Sequence, residues 1–272
     1  MAHTFDPGYP PPYDALVANY PGAETYPPAA FRVEWGPLFH RGRLDGSAHV
    51  LVIGQDPATH EDFARRILVG TAGQRTQGLL ERVGITRSYV MINTFLYSVY
   101  GQSGGTQHEH DAAIAAYRNQ WLDALRAHNH LDAIITLGTL AADAFTTWAA
   151  TPSGQQFAGH HAAIMHPTYP ESASASGSIS YAQAVGQLLA NWNAALPALG
   201  KAITHVDEPA SLKPYGHAFT AADLSPIPEG DLPPGLPDWT RGGETWASRE
   251  GTTTDAKRAT LVVAIPTDER PW

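Results

Sequence analysis

At three places in this chain a chemically capable side chain stands at the end of a short apolar run. His49–Gly54 (HVLVIG) leads into Gln55-Asp56-Pro57, Tyr89–Ile92 closes on Asn93, and Ala162–Met165 closes on His166-Pro167-Thr168. A carboxylate can stabilise adjacent positive charge or orient a water. A carboxamide offers a donor and an acceptor side by side, and an imidazole can donate to an oxyanion that develops during reaction. Each residue also has a plainer reading. Asp-Pro commonly opens turns, Asn caps helices, and a lone His is often a hydrogen-bonded core residue. Together, in this order and each at a strand end, they point further: parallel strands open on one edge, where the three could share a crevice.

The elements that would position them alternate. The runs at 49–54, 89–92, 133–137 (AIITL) and 162–165 are continuous and apolar, as in strands buried on both faces. Helical patterns separate them: 60–83, interrupted by LVGTAGQ at 68–74; Glu109–His128, with Ala112, Ala116, Trp121, Leu122 and Leu125 as its inward face; Gly138 to about Ala150; and Tyr181–Ala195. GQSGGT at 101–106 reads as loop. The fold expected is a three-layer α/β/α arrangement around a mostly parallel four-stranded sheet, with irregular extensions at both ends. Residues 1–46 form a Pro/Gly/Tyr-rich lead-in with a short helix near Tyr13–Asn19, and 47–199 form the catalytic domain. Residues 200–272 are a Pro/Gly-rich extension, a lid, a wrapping segment or a partly disordered arm, with TLVVAIP at 260–266 its strand candidate.

The ordered motifs resemble the uracil-DNA glycosylase superfamily over roughly residues 45–195. GQDPATH at 54–60 is similar to the first signature of uracil-N-glycosylases, VMINTFLYSV at 90–99 to the strand and Asn that read the base edge, and IMHPTYP at 164–170 to the His-Pro signature. ILVGTAGQRTQGLLERVGI at 67–85 and IITLGTLAADAF at 134–145 are closest to the iron–sulfur branch. The resemblance implies hydrolysis of the bond between a flipped base and its deoxyribose, leaving an abasic site and a free base. Asp56 would stabilise the oxocarbenium-like sugar and orient water. His166, with the backbone N–H of Gln55, would hydrogen-bond to the base O2. Asn93 would read the Watson–Crick edge. Gln55, Pro57, Ala58 and Leu68 would surround the base. Gly54, Pro167, Thr168, Tyr169 and Pro170 would face DNA, with Tyr169 or Pro170 filling the gap left by the flipped base.

Departures from the family pattern shape this expectation. Ala58 stands where uracil-N-glycosylases have the Tyr that excludes thymine's methyl group, and Leu68 where the family has an aromatic stacker, so a wider base range is expected. His60 falls one position beyond the family His. The loop with His108 and His110 lacks the Arg pair of the branch that bonds to its product. The chain contains no cysteine, which excludes a disulfide framework, thiolate metal sites, a cysteine nucleophile and that branch's iron–sulfur cluster. The thirteen His are scattered without an H-E-x-x-H pair, so neither metal nor organic cofactor is expected.

The net charge of −9 weighs against tight duplex binding, although the Arg residues between Arg65 and Arg87 could form a local basic patch. No apolar stretch approaches the ~18–20 residues that cross a bilayer. The N-terminus lacks a secretory pattern, so the expected protein is soluble, cytoplasmic and monomeric, with damaged DNA as partner and no membrane contact. Other readings are a glycosylase for a bulky modified base such as those of phage DNA, a non-catalytic DNA-binding module on the same scaffold, and a nucleotide-binding oxidoreductase. The last fits poorly, because the glycines at 70–73 do not form G-x-G-x-x-G after a strand.

Overall fold

A computed structural model describes residues 6–100, 105–242 and 246–270. Four of the loop residues expected at 101–106 lie outside the described residues.

The centre is a sheet built on β2 (Val50–Gly54), every residue of which is buried. Val50 and Val52 point into one apolar cluster and Leu51 and Ile53 into another, as the two-residue period of a strand requires. Parallel to it run β3 (Tyr89–Asn93) on one side and β4 (Ala133–Leu137) on the other, followed by β5 (His160–Ile164). The expected four strands gain a fifth: β1 (Arg41–Gly42), within the lead-in, pairs antiparallel with β3, giving the order β1-β3-β2-β4-β5. Two residues are too few to show a hydrophobic period, so the sequence reads as irregular there.

On one face lie α1 (Tyr13–Ala18), α4 (Ala112–His128) and α5 (Thr139–Ala149); on the other lie α3 (Thr71–Arg82) and α7 (Tyr181–Ala202). The inward face of α4 is Ile114, Tyr117, Arg118, Trp121, Leu122 and Leu125, while Ala112 and Ala116 are exposed. The larger side chains gain more from burial and set the helix's rotation. The break between α2 (Thr59–Ala64) and α3 falls at 65–70, so the TAGQ of the Gly-rich stretch is helical. Its glycine is there for close approach: a Cβ on Gly73 would lie 1.7 Å from the Leu68 carbonyl oxygen.

The chain leaves β2 through α3 on one face to reach β3, then crosses back through α4 on the other face to reach β4. The C-terminal ends of β2 and β4 therefore form a topological switch point, the place where open α/β sheets bind ligands.

The residues after α7 wrap the outside of α3 and α2. Asp207 accepts from the backbone N–H groups of Thr86, Arg87 and Ser88, Asp223 pairs with Arg82, and Ile227, Leu232, Trp246 and Ala247 cluster with Ala64 and Val69. Of TLVVAIP, only Val262–Val263 forms a strand (β7), antiparallel to β6 (Ala247–Ser248), with α8 (Thr254–Arg258) between them. Among the described residues no helix is long and apolar enough to cross a membrane.

Candidate active site

The switch point carries a cleft of about 820 Å³. β2 delivers Gln55, Asp56, Pro57 and Ala58 to its wall, β4 delivers Gly138 and Thr139, and β5 delivers Met165 and His166. Gly138, with φ of +87°, lets the two motifs meet: a Cβ there would lie 2.4 Å from Gln55 Nε2 and 3.3 Å from His166 Cβ.

Asp56 lines the cleft. Burial raises its carboxyl to about 6, opposed by a hydrogen bond from the Val99 N–H to Oδ2 (3.0 Å). The guanidinium of Arg32 also faces the cleft. It lies 4.1 Å from the Tyr100 ring centroid, and its Nη1 has no hydrogen-bond partner. Across the cleft, burial lowers His166 to about 4, so the imidazole is neutral at physiological pH. The backbone N–H of Thr168 lies 3.3 Å from His166 Nδ1 and donates to it. That makes Nδ1 an acceptor and leaves the ring proton on Nε2, free to be donated. The site thus pairs a carboxylate of adjustable charge with a neutral hydrogen-bond donor.

Not all the expected residues share this cleft. Asn93 ends β3, on the far side of β2 from β4, and is buried behind Gly54, its register partner. A Cβ on Gly54 would lie 2.3 Å from Asn93 Oδ1, an oxygen with no hydrogen-bond partner that faces a closed cavity of about 10 Å³ shared with Arg118 and Trp121. The expectation of one cavity for positions 56, 93 and 166 is therefore corrected: 56 and 166 share it, and strand order keeps 93 out. Leu68, with φ of +51°, is likewise buried in the core beneath α3 rather than on the cleft wall. Gly54, Pro167 and Pro170 are buried too, so direct DNA contact is corrected for them. Gly54 packs on Asn93, the Pro167 carbonyl accepts from Arg75 Nη1 (2.6 Å), and Pro170 sits inside the first turn of α6 (Tyr169–Ala175). Thr168 and Tyr169 do line the cleft, and Tyr169 donates its hydroxyl to Gln187 Oε1 (2.7 Å). His60 packs edge-on against Trp246, away from the cleft wall.

The expected basic patch between Arg65 and Arg87 is largely corrected as well. Arg65 bonds to the carbonyls of Trp35 and Pro37, Arg66 pairs with Asp6, Arg75 with Glu171 and Arg82 with Asp223. These guanidiniums fasten loops to the core. Arg87 is exposed beside Asp207, at the opposite end of the sheet from the cleft.

Several cleft residues give little signal in the sequence. Arg249 reaches the rim from the C-terminal extension, paired with Asp62 and lying over Trp35. Asn191 of α7 accepts from the Met165 N–H (2.8 Å). Glu61, buried and not itself on the cleft wall, holds the cleft residue Ala58 by accepting from its N–H (3.0 Å) and from that of Val69 (3.1 Å), and burial raises it to about 8. Glu61 stands three residues after the N-cap Ala58, the position from which a Glu reaches back to the N-cap N–H, but Ala at the N-cap lacks the Ser or Thr that makes the motif readable in a sequence.

A three-layer α/β/α fold whose sheet holds a carboxylate and an imidazole at its switch point defines an enzyme of the open-sheet α/β class. A family model for the uracil DNA glycosylase superfamily matches residues 41–177, half of the chain, and the chain belongs to that superfamily. The match runs from β1 to the turn after α6 and so contains Asp56 and His166. Membership makes this a DNA-acting glycosylase fold, its chemistry hydrolysis of N-glycosyl bonds. No curated protein matches the chain.

Proposed function

We propose that this protein is a monofunctional DNA glycosylase of broad base range that removes uracil and other damaged bases. The observation that carries the reading is the pairing of Asp56 with a neutral, Nε2-protonated His166 across one cleft. As the C1′–N bond breaks, its electron pair moves to the base and the sugar becomes oxocarbenium-like. Ionised Asp56 faces that positive charge and orients the water that adds to C1′, taking the proton that the water loses, while the departing base takes a proton from solvent. His166 Nε2–H, with the Gln55 backbone N–H, donates to the oxygen on which negative charge collects. Neither role needs a metal or cofactor. Tyr169 lines the cleft, with its hydroxyl on Gln187, and this supports it as the residue that fills the gap in the stack.

Breadth follows from the walls. Ala58 is exposed and leaves the space beside the base open, and the cleft is far larger than one pyrimidine. The same room favours bulky modified bases as a second substrate class. Oligonucleotides carrying uracil, mispaired thymine, hypoxanthine, xanthine or ethenocytosine, followed by alkaline cleavage of abasic sites, test this. Release of uracil and at least one other base is expected; strict uracil specificity would refute the broad range.

Two variants probe recognition. Asn93→Ala is expected to change relative rates across that panel by less than about threefold, within the scatter of an indirect packing effect. A loss of about a hundredfold for uracil alone would show the carboxamide turning into the cleft when a base binds. Arg32→Ala is expected to weaken DNA binding and reduce the slope of log affinity against log salt by about one. An unchanged slope would remove Arg32 from the phosphate contacts.

A further inference from the structure

The histidines that look scattered along the chain gather at the other end of the sheet. His49 immediately precedes β2, and Asp132 immediately precedes β4, its neighbour. The Asp132 N–H donates to the His49 carbonyl (2.8 Å), so the sheet's own register holds these two residues side by side, with His130 two positions away. His49, His130 and Asp132 each offer one ligand atom, a ring nitrogen or a carboxylate oxygen, and these atoms all lie within 4.8 Å of one another.

The local contacts resemble those that orient metal ligands. Asp132 is buried, and its Oδ2 accepts from the Thr204 N–H (2.8 Å), the Thr204 hydroxyl (3.0 Å) and the His205 N–H (3.0 Å), which fixes the carboxylate plane. Its Oδ1 faces His130 Nδ1 at 3.5 Å. His49 stacks flat on His205, with centroids 4.0 Å apart and planes 9° apart, so its ring direction is set as well. His205 Nε2 in turn lies 3.3 Å from the Ser88 hydroxyl and 3.6 Å from Asp207. His49 Nδ1 is buried with no hydrogen-bond partner, and stands 3.8 Å from Asp132 Oδ2. Ordinary His–Asp hydrogen bonds would bring these atoms to about 2.8 Å. They converge without bonding one another.

We propose that His49, His130 and Asp132 bind one divalent transition-metal ion, of the zinc, cobalt or nickel kind, at the N-terminal edge of the sheet. Two imidazoles and one carboxylate suit such borderline ions and not magnesium or calcium, which prefer all-oxygen shells. Bond lengths of about 2.0–2.2 Å require ligand atoms somewhat closer together than they stand. His130, with 84 % of its side chain exposed, is free to swing inward and close the difference. The strands are five residues long, about 17 Å, so this site is separate from the cleft. Its role is structural: it would clamp the start of β2 to the start of β4.

The test is calorimetric titration of untagged, chelator-treated protein with zinc, together with the visible absorption of the cobalt form. One equivalent per chain is expected for the wild type, with a raised melting temperature. His130→Ala should weaken binding by at least about tenfold. His217→Ala, which removes an exposed histidine elsewhere, should leave it unchanged. Failure of the wild type to take up one equivalent, or equal binding by His130→Ala, would overturn the proposal. Because His130 is exposed, its replacement should not compromise folding. Base release is expected to be the same with and without chelator, so this result is independent of the function proposed for the cleft.

Discussion

Replacing Asp56 with Asn is expected to slow base release by about 10²–10⁴-fold while making the protein harder to unfold. The first effect follows from removing the only carboxylate that lines the cleft among the described residues, a charge that acts on the transition state. The second follows from burial. The carboxyl rises from its ordinary 3.8 to about 6 in the folded protein, so the native state binds this proton more tightly than the unfolded chain does. Its stabilising effect is fully present below about pH 4 and is lost as pH rises through about 6. At neutral pH an ionised Asp56 therefore costs the fold on the order of 3 kcal/mol relative to a neutral side chain of the same shape. Asn keeps an oxygen for the Val99 N–H. Urea unfolding at about pH 7 should show Asp56→Asn as the more stable protein, and at about pH 4 the advantage should vanish. Equal stability at both pH values would mean that a cation neutralises the carboxylate in solution, with Arg32 the nearest candidate.

The second large effect is expected far from the cleft. Asp231 of the C-terminal extension is buried and receives hydrogen bonds from Arg41 Nη1 (3.0 Å), Arg43 and the Tyr89 hydroxyl. Arg41, in β1, is completely buried. Asp231→Ala leaves that guanidinium without its counter-charge, and loss of one partner of a buried ion pair costs about 3–5 kcal/mol. A domain with ordinary stability would lose a third or more of it. Chemical denaturation measures this directly. A loss below about 1 kcal/mol would show that Gln77, the Ile67 carbonyl and Tyr89, which also accept from Arg41, carry the charge between them. The expected result also explains why the extension stays on the catalytic core: it neutralises charge inside it.

The parallel strands and the two cleft residues are legible in the sequence for one reason. Buried parallel strands are unbroken apolar runs, and the polar residue ending each run must lie at the sheet's edge. Asp56 and His166 follow from that rule alone. Asn93 obeys the same rule yet lies outside the cleft, because apolar runs do not encode strand order, and β3 falls on the wrong side of β2. The arginines from Arg65 to Arg87 show their charge in the sequence but not their partners, and Asp6, Glu171 and Asp223 come from distant segments. Arg249 and Asp231 are hidden for a further reason. They belong to an extension without periodicity, whose order comes from single side chains, Asp207, Asp223, Asp231 and Trp246, each anchored on the core. His49, His130 and Asp132 look unrelated until β2 and β4 are known to be neighbours.

The proposed chemistry depends most directly on the ionisation of one carboxylate. Single-turnover release of uracil from DNA, measured from about pH 4 to about pH 9, is predicted to rise about tenfold per pH unit up to about 6 and then level off. His166, neutral above about 4, adds no second step in the neutral range. A rate independent of pH across that span, or no base released at any pH, would contradict it.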